Sequence, residues 1–124
     1  MVDRKFVLLK DLYPKFREEE LSRCVSIPLE GKISPELEEI LEMIAAHPQI
    51  FLNTGHVSPA EALRLIHLAK QFGIKKVLVA STVIPEMAMD EMKWAADQGA
   101  FLEITFARFT HTTAIPKTDY YVEK

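Results

Sequence analysis

A chain with one cysteine, Cys24, cannot close a disulfide on itself, which removes the disulfide-stapled secreted scaffolds from consideration. No apolar run approaches the ~20 residues that a membrane-spanning helix needs. Positive charge is not in excess: the net charge is −3, with acids and bases interspersed. Nothing therefore neutralises a run of phosphates, and nucleic acid is not an expected partner. The apolar stretch from Phe6 to Leu9 is too short for a signal-peptide core and is interrupted by Lys10 and Asp11, so no targeting segment is expected. These absences point to a cytoplasmic protein with no membrane partner.

What is present is the composition of a globular domain, 48% apolar and 27% charged over 124 residues. That length suits a single α/β domain spanning residues 1–124. The clearest helix signal begins at Ser34-Pro35, where the serine can accept a free backbone N–H and the proline sits where none is needed. Leu37, Ile40, Leu41, Ile44 and Ala45 then fall on one helical stripe, and Pro48 ends the element. Ser58-Pro59-Ala60-Glu61 repeats the start signal and adds the glutamate of a capping box. The stripe Ala62, Leu65, Ile66, Ala69 and Phe72 runs from there to Gly73, which suits the left-handed position just past a helix end. A third helix carries Ala88, Met92, Ala95 and Ala96 and stops at Gly99, and the methionines Met87, Met89 and Met92 read as core filling.

Short apolar strands separate these helices: Ile50 to Asn53, Val77 to Ala80, and Phe101 to Phe106. The second is apolar on both alternating faces, the signature of a strand covered on both sides in a parallel sheet. The strand centres Phe51, Leu78 and Glu103 recur about every 25 residues, and Ala69-x-x-x-Gly73 is matched by Ala95-x-x-x-Gly99. The unit is strand, loop, helix, tight turn. Such units build either part of a (β/α)8 barrel or a small open doubly wound sheet. A barrel takes about 250 residues, so this chain supplies about half of one.

In both architectures ligands bind beyond the carboxyl ends of the strands. His56 follows a strand end through Gly55 and precedes a helix start, so its imidazole can bind a metal or move a proton there, or simply cap the turn. Glu103 lies in an otherwise apolar strand. A covered carboxylate there must be paired or metal-bound, whereas on an edge strand it is merely exposed. His111 sits in the polar loop Thr110 to Thr113, within reach of a site mouth or solvated. Thr54, Gly55 and Ser58 are ligand-binding candidates because backbone N–H groups at a helix start attract anions, although the glycine run of a phosphate loop is missing. His47, at a helix end, and His67, inside a helix, read as structural.

The stretches from Ile33 to Ala45 and from Leu52 to Ala62, with the block Thr54-Gly55-His56-Val57-Ser58 followed by Glu61-Ala62, resemble a poorly characterised group of amidohydrolase-related proteins. The resemblance covers most of residues 30 to 106. It implies a (β/α)8 barrel with one or two divalent, zinc-like metals at the carboxyl end of the strands, activating water to hydrolyse an amide- or ester-like bond of a small-molecule substrate. His56 matches the mid-barrel metal ligand of that family, with Glu103 and His111 as weaker metal candidates. The chain departs from the pattern: it has no His-x-His pair, Ser81-Thr82-Val83 stands where relatives tend to carry a further histidine, and the aspartate that relatives place after a late barrel strand has no counterpart. The expectation is a truncated or degenerate metal-dependent hydrolase, inactive as an isolated chain. The alternative is a non-catalytic binding or assembly domain that covers its open sheet by homo-oligomerising.

Overall fold

The computed structural model describes residues 14–105. Helix α1 (Pro14–Arg23) comes first and keeps Leu21 exposed. Its apolar residues do not recur at helical spacing, so the sequence carries little sign of it. Helix α2 (Pro35–Ala45) starts where Ser34 and Pro35 place it: the serine side chain accepts the Leu37 N–H at 3.3 Å. Leu37 and Leu41 are buried, while Ile40, on the expected stripe, is exposed.

Helix α3 (Pro59–Gln71) opens with a complete capping box. Ser58 Oγ accepts the Glu61 N–H at 3.3 Å, and the Glu61 carboxylate accepts the Ser58 N–H at 2.7 Å. Helix α4 (Met89–Asp97) follows a 3-10 turn at Ile84–Glu86 and has half of this device. Ala88 offers no side-chain cap, but its N–H donates to the Glu91 carboxylate at 2.7 Å.

Both α3 and α4 end in the same six-residue turn. The Ile74 N–H reaches back to the Ala69 carbonyl at 2.8 Å and the Gly73 N–H to Lys70, just as Ala100 reaches Ala95 at 3.1 Å and Gly99 reaches Ala96. Two carbonyls that a helix end leaves unpaired are thereby satisfied at each end, at the expense of a left-handed residue. Gly73 and Gly99 take that conformation at φ 77° and 87°. Ala69 and Ala95, at the accepting position, are fully buried. The repeated Ala-x-x-x-Gly spacing is thus the sequence trace of this turn.

Three strands, β1 (Leu52–Asn53), β2 (Val77–Val79) and β3 (Phe101–Leu102), form a small open parallel sheet in the order β1-β2-β3. Leu52 is in register with Val77, Asn53 with Leu78, Leu78 with Phe101, and Val79 with Leu102. The strands are shorter than their apolar runs. At the amino side of β1 the Ile50 N–H turns back onto the His47 carbonyl instead of joining the ladder.

Helix α3 packs on β2, α4 packs on β3, and the two helices pack on each other, so both connections lie over one face of the sheet. Alternate strand residues face them. Leu52, Val77 and Val79 join Leu37, Leu41, Ile66, Leu68, Met87 and Ala95 in one buried cluster. The intervening residues point the other way: Phe51, Phe101 and Glu103 are exposed and Leu78 is half-buried. Among the described residues no helix is long and apolar enough to cross a membrane.

Candidate functional site

The carboxyl ends of the three strands form a rim held by side-chain ties between neighbouring loops. Thr54 leaves β1 and turns into the core, where its hydroxyl, 4% exposed, accepts the Ala80 N–H at 3.0 Å. A buried backbone N–H without a partner is costly, and this bond fixes where β2 ends relative to β1. Gly55 follows at φ 65°, with its N–H on the Asn53 side-chain oxygen at 2.9 Å and its carbonyl accepting the Thr82 hydroxyl at 3.2 Å. On the far side, the Glu103 carboxylate accepts the Ser81 N–H at 3.0 Å. The rim is stitched from β1 to β2 by two threonines and from β2 to β3 by one glutamate.

These ties show what the expected site residues do within the fold. The Thr54 hydroxyl and the Ser58 side chain are both bonded within the chain, the first buried as acceptor for Ala80 and the second at the surface in the α3 cap. His56 is exposed at the turn between β1 and α3. Glu103 is exposed on an edge strand of the described sheet, so its charge stays hydrated, and one carboxylate oxygen remains beyond the bond to Ser81. His111 lies outside the described residues. The strand–helix order points to the strand ends as the place for a site, but nothing in the sequence assigns Ser81 and Thr82 a role there. A backbone N–H donor and a cross-loop hydroxyl leave no residue-type signature.

The donor set suits a cation only in part. A catalytic zinc takes three protein ligands and a water, and of the three candidates His56 and Glu103 are the two among the described residues. Among those residues no group of three or more His, Cys, Asp or Glu side chains is gathered closely enough to hold a metal ion.

The other two histidines make local contacts on their own helices. The His47 ring N–H donates to the Met43 carbonyl at the end of α2 at 2.7 Å, and His67 meets the Gln71 side chain one turn along α3. A shallow groove of about 330 Å³ opens at the opposite, amino end of the sheet, lined by Ile66, Lys70, Ile74, Lys75 and Gln98 among others. It is remote from the rim, and parallel sheets place their chemistry at the carboxyl end.

No curated protein and no solved structure matches this chain. A family match covers residues 10–103, more than half of the chain, and the chain belongs to that family, DUF6282, a family of unknown function.

Proposed function

We propose that this chain is an assembly domain of hydrolase-barrel descent, a run of strand–helix units whose open sheet face docks on another polypeptide. The observation that carries the reading is the asymmetry of the sheet. Both connecting helices lie on one face, and the other presents Phe51 and Phe101, 51% and 57% exposed, around Leu78. Parallel sheets are normally buried on both faces, and a contiguous exposed apolar patch marks a contact surface. The strand order without reversal, with successive helices side by side, is also the order of a (β/α)8 barrel. It supports a partial barrel and the resemblance to amidohydrolases.

A second reading, metal-dependent hydrolysis of an amide- or ester-like bond in a small molecule, is favoured by one specific observation. The turn carrying His56, the Thr82 hydroxyl and the Glu103 carboxylate all lie on the carboxyl rim, where parallel α/β proteins place ligands. In that reading His56 is a ligand of a divalent, zinc-like ion, with Glu103 and His111 beside it. Such an ion would supply a water nucleophile at neutral pH.

Elemental analysis of the purified chain beside His56→Ala, with solution mass from light scattering, separates the readings. The assembly reading expects an oligomer and no metal in either protein. About one metal ion per chain, lost in the variant, would replace it with the hydrolase reading.

A further inference from the structure

We infer that the open sheet face pairs with a second copy of this chain, face to face and with the strands of the two copies antiparallel. The inference rests on the assembly reading and names its partner. By the strand register, Asn53, Leu78 and Phe101 form one row across the open face. Phe51 and Lys76 lie one step toward the amino ends, and Glu103 lies one step toward the carboxyl ends. Phe51 and Phe101 already meet edge to face at 6.4 Å, and the Lys76 ammonium stands 5.4 Å from the Phe51 ring centre, which holds it on this face. The face therefore has an apolar, aromatic middle, a cation at one end and an anion at the other.

A closed pair of identical chains requires a patch that is its own complement. Two arrangements bring the face against itself with the strands of the two copies aligned, as packed sheets commonly are. A two-fold axis parallel to the strands sets Lys76 against the partner's Lys76 and Glu103 beside the partner's Glu103, so like charges meet at both ends. A two-fold axis running across the strands, along the row of Asn53, Leu78 and Phe101, sets Leu78 and Phe101 on their own counterparts. It also brings Lys76 to the partner's Glu103 at both ends. Lysine and glutamate side chains reaching from opposite sides span the about 10 Å between packed sheets. The second oxygen of the Glu103 carboxylate can accept the partner's lysine while the first keeps its bond to Ser81. Charge complementarity thus selects a second copy over a uniformly acidic or basic partner, and the antiparallel pairing over the parallel one.

Sedimentation equilibrium of the full chain over a range of concentrations tests this, with circular dichroism confirming that each variant is folded. The expected result is a dimer that Phe101→Asp converts to a monomer. Lys76→Glu and Glu103→Lys should each weaken the dimer by about tenfold or more, and the two together should restore it, because the reversed charges face each other again. In the parallel arrangement each reversal only exchanges one like-charge pair for another, so a dimer that Phe101→Asp breaks but neither charge reversal weakens would overturn the pairing in favour of that arrangement, and a dimer indifferent to all three positions would overturn it outright. A monomeric wild type would also overturn it, and an apolar dye then tells which claim has failed. Dye binding that Phe101→Asp abolishes leaves the assembly reading with a different partner. Absence of dye binding means the chain's own remaining residues cover the face, and both readings fall.

Discussion

The two faces of the sheet are made from alternate residues of the same short strands, and they have opposite fates. Leu52, Val77 and Val79 are sealed against α2, α3 and α4, and Val79 is completely buried. Phe51, Leu78 and Phe101, one position along, are as apolar but lie outside that buried cluster, and the two phenylalanines are more than half exposed. Apolar content therefore plays two parts in one sheet. On the helix side it drives folding of the chain, and on the open side it is available for a contact outside the described fold. A substitution should lower stability on the first face and association on the second.

The sharpest test of this contrast pairs Leu41→Ala with Phe101→Ser in dilute protein. Leu41 is 0% exposed. Its truncation should lower unfolding stability by about 3 kcal/mol in a urea titration, through lost transfer energy and the cavity left behind. Phe101→Ser should change it by no more than about 0.5 kcal/mol. Comparable losses at both positions would mean that the open face is part of the folding core.

Where the sealed face ends, Thr54→Val removes the hydroxyl that accepts the buried Ala80 N–H while keeping the side chain's volume. The expected loss is about 2 kcal/mol, with faster hydrogen exchange at Ala80, and Thr54→Ser should recover most of it. Ser58→Ala breaks the capping box of α3 and should cost about 1 kcal/mol, with fraying confined to the first turn of that helix. If thermal melting of Ser58→Ala is unchanged, packing alone holds the start of α3.

The smallest effect belongs to Glu36, in the first turn of α2. Hydrogen bonding from its own backbone N–H, and then from the Ser34 side chain, holds its carboxyl below the usual glutamate range. A depressed carboxyl stabilises the fold above its unfolded pKa, and that contribution is lost as pH falls through the folded value. Urea midpoints should therefore drop slightly more for the wild type than for Glu36→Gln as pH is lowered below about 4.

How far the sequence could be read depended on the range of the interactions involved. Ser34, Ser58 and the two Ala-x-x-x-Gly turns were legible because capping is settled within six residues, by groups whose chemistry is visible in the residue type. Strand positions were legible, but their lengths were not. Apolar runs extend through Phe51 and Ile104, and hydrophobicity does not distinguish a residue paired in a ladder from one that merely continues past it. Glu103 shows the same limit: its strand is either covered or at an edge, and only the sheet order β1-β2-β3 puts it at the edge of the described sheet. The rim was legible as a place and not as a mechanism, because the partners of Thr54, Thr82 and Glu103 are backbone groups more than twenty residues away in sequence.

By itself the sequence determined the strand–helix periodicity, the boundaries of α2, α3 and α4 and the identity of the residues able to form a core, since each follows from local geometry and from the burial of apolar stripes. The tertiary structure alone decided that both connecting helices share one face, that Thr54 spends its hydroxyl on Ala80, and that Phe51, Lys76, Phe101 and Glu103 come together on the other side. The physical reason is that parallel strands are joined through space by residues about 25 positions apart. No short-range pattern specifies which side a crossover takes or which side chains it leaves uncovered.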